Sequence, residues 1–236
     1  MKPQRSNTLY KAFLEGQELF AILIDPDKTQ PKQLPQHLKK LPNQTTHIFV
    51  GGSTVQKDQT EPLVKALKQH TTLPVFLFPG DASQITNTAD ALLFLSLLSG
   101  RNPEFLIEQH VKAIPKLIST NLEIIPTAYL LIDGGIKTAV QRVSNTKPMA
   151  QNNIDAIVNT ALAAEFSGKK LIYLEAGSGA KQFVNPEIVR AVSRVVSIPI
   201  IVGGGLRDNN TIAEIYKAGA TMVVVGTAFE NNSFKS

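Results

Sequence analysis

The segment Tyr173-Leu174-Glu175-Ala176-Gly177-Ser178-Gly179 closes an apolar run with one carboxylate and two glycines. A strand ending this way would deliver a proton or hydrogen-bond acceptor, Glu175, beside backbone N–H groups that no Cβ shields. Two later apolar runs end alike, Ile198 to Gly205 in Gly203-Gly204-Gly205 and Thr221 to Thr227 in Gly226-Thr227. A single glycine at a strand end is an ordinary turn residue. Recurrence at consecutive run ends points instead to an anion, a phosphate above all, cradled by main-chain N–H groups.

A second set of oxygens lies near the start of the chain. Asp25, in Leu-Ile-Asp-Pro-Asp-Lys, and Ser53, in Val-Gly-Gly-Ser-Thr, end the first two apolar runs. A carboxylate and a hydroxyl form a sparse, hard donor set that suits Mg²⁺, which keeps several waters and takes its other ligands from substrate phosphates. Taken alone, Asp25-Pro26-Asp27 reads equally as a turn with a helix cap.

Other chemistries are excluded. The chain has no cysteine, so thiol nucleophiles, disulfides and thiolate metal sites are absent. The four histidines, His37, His47, His70 and His110, show no zinc spacing and are expected at the surface or the edge of the core. Neither a Gly-x-x-x-x-Gly-Lys loop nor a Ser-His-Asp arrangement is visible. The net charge of +5 is spread over residues whose longest runs are pairs such as Lys39-Lys40 and Lys169-Lys170. Nucleic-acid binders cluster such charge among aromatics, so no nucleic-acid partner is expected, whereas a mild positive field suits anionic substrates. The longest apolar run, Ala91 to Leu98, is too short to span a bilayer, and the first residues, Met1 to Phe13, contain no apolar leader. The expectation is a soluble, cytoplasmic protein.

Converging these residues requires a particular scaffold. Hydrophobic residues make up 43% and charged residues 18% of 236 residues, enough for a large core in one domain, residues 1–236. Eight apolar runs begin at Leu19, His47, Pro74, Asp90, Leu122, Leu171, Ile198 and Thr221, and amphipathic stretches separate most of them. This alternation predicts an α/β protein, a (βα)8 TIM barrel, in which every strand end opens on one face. The segment Asn102 to Ile118 predicts a helix with an Asn cap and an early proline, and Asp208 to Ala220 one that stops at glycine. Between the third and fourth runs, Gly80 to Asp90 has few large apolar residues, so helix 3 is expected to be missing or irregular and the wall open. Phe76, Phe78, Leu92 and Phe94 flank this gap as candidate lining for an apolar ligand. The eighth helix is expected to be stunted, and the polar stretch after the fifth run to form either a lid or a plain loop with a short helix.

Together, LIDPDK, VGGST, FLFPGDASQI, LEIIPTAYL, YLEAGSGA, IIVGGGLRD and VVVGTAFE resemble the geranylgeranylglyceryl phosphate synthase family, with its bacterial heptaprenylglyceryl phosphate synthase relatives. The resemblance runs in order from Leu19 to Glu230. It implies a modified TIM barrel that joins a prenyl diphosphate to the C3 hydroxyl of sn-glycerol 1-phosphate with Mg²⁺ as cofactor. Its implied metal ligands are Asp25 and Ser53. Its implied glycerol phosphate site is Tyr173, Leu174, Glu175, Ala176, Gly177, Ser178, Gly179, Gly204, Gly205, Gly226 and Thr227. For that reaction Glu175 is the best-placed catalytic carboxylate, to accept the hydroxyl proton or to orient the hydroxyl, and Arg101 reads either as a helper at the leaving group or as a helix-start surface residue. One branch of the family carries Lys two residues before the metal Asp, where Leu23 stands here. YLEAGSGA matches the other branch, for which geranylgeranyl is the usual donor; a heptaprenyl donor is the alternative. A lipid product implies peripheral membrane contact on release, and a homo-oligomer is expected. A phosphosugar barrel would share the cradle but would not require the Tyr173–Gly179 motif, and a non-catalytic phosphate binder would not need Asp25 and Glu175.

Overall fold

The computed structural model describes residues 8–56 and 58–235. The reading of the first residues as free of an apolar leader falls in part on residues 1–7, outside that range.

Eight strands form a closed parallel barrel in sequence order: β1 (Leu19–Ile24), β2 (His47–Val50), β3 (Val75–Leu77), β4 (Ala91–Leu97), β5 (Glu123–Leu131), β6 (Leu171–Glu175), β7 (Ile200–Gly203) and β8 (Met222–Val225). Closure is the β1–β8 pairing, from Leu19↔Met222 to Ile22↔Val225. Side-chain alternation divides the core in two. Ala21, Phe49, Phe76, Leu93, Tyr129, Tyr173 and Val224 fill the barrel interior. Ile22, Ile48, Leu77, Leu174, Val202 and Val223 face outward, under the helices.

The helices are α1 (Thr8–Ala12), α2 (Leu34–Leu38), α3 (Thr60–His70), α4 (Gln109–Leu117), α5 (Ala139–Ser144), α6 (Ile154–Phe166), α7 (Pro186–Ser193), α8 (Asn209–Lys217) and α9 (Thr227–Glu230). Their starts follow local chemistry: Asp208 Oδ1 accepts from Thr211 N at 2.9 Å, and Asn185 Oδ1 from Glu187 N at 2.9 Å, ahead of a helix beginning in proline. Between β3 and β4 there is only one 3₁₀ turn, Ala82–Gln84, as its polar sequence predicts. The segment before α4 winds as a π-helical turn, Glu104–Glu108, a departure from the single regular helix expected. The short α9 matches the stunted eighth helix. Among the described residues no helix is long and apolar enough to cross a membrane.

The N-terminal end of the barrel is plugged. The buried Glu123 carboxylate accepts from Leu9 N (2.9 Å) and Tyr10 N (2.7 Å), capping α1, while Phe13 packs against Phe76 and His47. His47 therefore departs from its expected surface or edge position. It sits edge-on to Phe76, and burial pushes its pKa down to about 4, so it is neutral. His110 is also buried: its ring stacks on Phe94 and its Nε2 lies 2.7 Å from the Leu95 carbonyl oxygen.

Candidate active site

The C-terminal ends of the strands surround a cavity of about 590 Å³. Glu175, the last residue of β6, points into it and stays 7% exposed. Register aligns Glu175 with Leu131 on one side and Gly203 on the other. Gly177 N donates to Glu175 Oε1 at 2.7 Å. Burial raises the Glu175 pKa to about 7, against the opposing pull of the Tyr173 hydroxyl and the Gly177 N–H. The group thus changes charge near neutrality, where a general base works best.

Tyr173 lies two residues earlier on the same face of the strand, fully buried, its hydroxyl close enough to act on the Glu175 carboxyl but in no well-formed hydrogen bond. Its ring meets Tyr129 edge-on at 5.5 Å and Phe78 at 5.1 Å, which fixes the hydroxyl beside the carboxylate. The glycines ending β7 make room for this pair. A Cβ on Gly203 would lie 2.5 Å from both Glu175 Oε2 and Tyr173 Oη, and one on Gly204, whose φ is +82°, would run into Glu175 Oε1.

The glycine-rich ends of β6, β7 and β8 do converge. Among the described residues, the N–H groups of Ser178, Gly179, Gly204, Gly205 and Gly226 donate to no protein acceptor. Ser178 Oγ and Thr227 Oγ1 stand 2.9 Å apart at the same rim. Bare donors clustered in this way are able to hold an anion. Three residues of the anticipated motif fall outside this cluster. Strand alternation sends Leu174 and Ala176 into the outer core, under the helices. Gly177 N–H is committed to Glu175 and does not face an incoming phosphate.

Across the cavity, Asp25 and Ser53 line the mouth together. Asp25 Oδ1 accepts from Asp27 N at 3.0 Å, and Oδ2 pairs with Lys28 at 3.3 Å. The Ser53 hydroxyl makes no hydrogen bond among the described residues. Among the described residues no cluster of three or more His, Cys, Asp or Glu side chains could hold a metal by itself. Two hard oxygens beside an open cavity nevertheless fit a Mg²⁺ ion that keeps water and takes substrate oxygens.

The remaining wall is largely apolar. Phe78, Leu92, Phe94, Phe105, Ala113, Val140 and Val143 line a trough beside the gap left by the missing third helix. Phe76, expected there, instead lies deep in the barrel, stacked on Phe49 at 5.6 Å. The stretch after β5 folds over this trough as α5, held by a capping box in which Thr138 N donates to Gln141 Oε1 (2.6 Å) and Gln141 N to Thr138 Oγ1 (3.2 Å). The Thr138 methyl occupies the space above Gly177, where a Cβ would collide. Arg101 does not reach the cavity, because its guanidinium turns back onto the carbonyl of Leu98.

The lining residues that were not anticipated include Tyr129, Lys28, Glu230 and Arg207, whose Nη2 donates to Ala180 O at 2.7 Å. Strand alternation on β5 could have found Tyr129. The charged three carry no sequence signal that separates them from solvated surface.

Comparison with known proteins gives a consistent result. The PcrB family profile matches residues 13–236. The geranylgeranylglyceryl phosphate synthase of Zunongwangia profunda is 54% identical over 233 residues, covering 99% of this chain and 100% of that one. Two solved structures share the fold. The Thermoplasma volcanium wild-type GGGPS has a TM-score of 0.87 at 36% identity, over 96% of this chain and 92% of its own. The (S)-3-O-geranylgeranylglyceryl phosphate synthase of Thermoplasma acidophilum, in complex with its substrate sn-glycerol-1-phosphate, has a TM-score of 0.85 at 33% identity, over 94% and 90%.

Proposed function

The chain belongs to the PcrB family, and from that premise we propose that it is a prenyltransferase joining geranylgeranyl diphosphate to the C3 hydroxyl of sn-glycerol 1-phosphate. The observation that carries the reading is the buried Tyr173–Glu175 pair, set between an anion cradle and an apolar trough in one cavity. Such a cavity accommodates a phosphate, a polyol and a hydrocarbon in that order, which is the chemistry of an ether-lipid condensation.

In the reaction the C3 oxygen forms a bond to C1 of the prenyl chain, the C1–O bond to diphosphate breaks, and the hydroxyl proton passes to Glu175. The free N–H groups around Ser178, Gly204 and Gly226 fix the acceptor phosphate. Tyr173 Oη offers its unused donor to a glycerol oxygen. Phe78, Phe94, Phe105 and α5 sheath the prenyl tail and exclude water from the reacting carbon.

Mg²⁺ belongs to the same reading. Asp25 and Ser53 would hold it, and when bound it supplies charge neutralisation for the diphosphate. A homo-oligomer is also part of the proposal, supported by an unpartnered apolar stripe: Ile107, Val111, Ile114 and Ile118 recur at helical spacing and are 45–65% exposed.

The deciding assay is incubation with labelled sn-glycerol 1-phosphate, Mg²⁺ and a ladder of prenyl diphosphates, with sn-glycerol 3-phosphate as control. Prenyl ether formed only from the 1-phosphate, and fastest with the twenty-carbon donor, is expected. A maximum at the thirty-five-carbon donor would reassign the chain as a heptaprenyl enzyme, and no ether with any donor would end the reading.

A further inference from the structure

The prenyltransferase reading leaves one charge unaccounted for. A diphosphate leaving group arrives at the Asp25 end of the cavity, where Asp25 and Glu230 already place two carboxylates. Two like charges beside an incoming polyanion repel it unless a cation stands between. Mg²⁺ at Asp25 would meet part of this need, and the protein's own cation at that end is Lys28. Its ammonium lies 3.0 Å from Glu230 Oε2 and 3.3 Å from Asp25 Oδ2. A lysine ammonium held between two carboxylates is cationic at neutral pH. Among the described residues the other permanent cation lining the cavity, Arg207, is tied to Ala180 O at the cradle side.

An ammonium carries three N–H donors. Asp25 and Glu230 use two, which leaves one for a ligand oxygen. The backbone holds the geometry: Lys28 N donates to Asp25 O at 3.1 Å, closing the turn after β1, while Glu230 reaches in from α9 on the far side of the barrel seam. Leu23, two residues before Asp25, offers no charge of its own.

We infer that Lys28 is the protein's own donor to the diphosphate leaving group, and that Glu230 is the positioning residue that keeps its ammonium over the mouth of the cavity. The inference rests on the prenyltransferase reading for the identity of the diphosphate, but its test does not require turnover.

Equilibrium dialysis with labelled inorganic pyrophosphate at saturating Mg²⁺ would compare wild type with Lys28→Met, Lys28→Arg and Glu230→Gln. Retention of sn-glycerol 1-phosphate and thermal unfolding would be followed on the same samples. One partly exposed charge-assisted hydrogen bond predicts pyrophosphate binding about 10-fold weaker in Lys28→Met. Most of this should return in Lys28→Arg, and Glu230→Gln should lose about 3-fold, since one of two anchors remains. Glycerol phosphate binding should hold in all three. Unchanged pyrophosphate binding in Lys28→Met, equal loss of both ligands, or no pyrophosphate binding by the wild type would each overturn the assignment. Glu230→Gln matching wild type would remove Glu230 from it. A wild type that binds pyrophosphate through Lys28 yet forms no prenyl ether would uphold Lys28 and discard the prenyltransferase reading instead.

Discussion

At the scale of single residues, Glu175 carries opposite demands from stability and function. Its folded pKa is about 7, against an ordinary value of 4.5. Below pH 4.5 both folded and unfolded states hold the proton and nothing is lost. As pH rises towards 7 the unfolded chain ionises first, so stability falls, by about 3 kcal/mol for a shift of this size. Glu175→Gln should therefore unfold later than wild type at pH 8, with the advantage shrinking on acidification to pH 4.5; denaturant midpoints at the two pH values measure it. The same substitution should cut turnover by about 10²- to 10⁴-fold. In the wild type, kcat should fall below pH 7 as the carboxyl takes up its proton. A variant with near-normal turnover would remove Glu175 from the chemistry.

At the scale of elements, α5 links the two halves of the cavity, because its capping residue Thr138 also roofs Gly177 while Val140 and Val143 line the trough. Thr138→Ala should cost about 1 kcal/mol of stability through the lost cap. It should also raise KM for the prenyl donor more than KM for glycerol phosphate, which steady-state kinetics would resolve. The strands around these elements were legible from the sequence, since each is an apolar run that ends at Gly, Pro, Asp or Ser, and the gap after β3 was legible from its lack of large apolar residues. Legibility fails where a contiguous motif is taken as a contiguous surface. Leu174 and Ala176 belong to the Tyr173–Gly179 motif, yet a strand turns every second side chain away. His47 and Arg101 fail for another reason: whether a polar side chain is swallowed by aromatic packing or folds onto its own turn depends on neighbours distant in sequence. Lys28, Glu230 and Arg207 look like ordinary solvated charges until the barrel closes around them.

At the scale of the whole molecule, the barrel is asymmetric. Its bottom is sealed by α1 on Glu123, its top carries the polar reaction centre, and one side lacks a helix between β3 and β4. The π-helical turn and α4 stand beside that side with their outer stripe of Ile107, Val111, Ile114 and Ile118 uncovered. Covering it with a second copy predicts a dimer or larger assembly in sedimentation equilibrium, and Ile114→Asp combined with Ile118→Asp should shift the population towards monomer. A wild-type monomer at all concentrations would rule this face out as an interface between copies.

The unpaired hydroxyl of Tyr173 has a thermodynamic corollary. Most binding sites exchange one hydrogen bond for another, so the heat released is small. Here the donor gives up only its contact with the Glu175 carboxylate, which is no well-formed hydrogen bond. An acceptor alcohol that meets it gains a whole bond. Calorimetry should find sn-glycerol 1-phosphate binding distinctly exothermic, and Tyr173→Phe should lose much of that heat while making the unliganded protein harder to unfold.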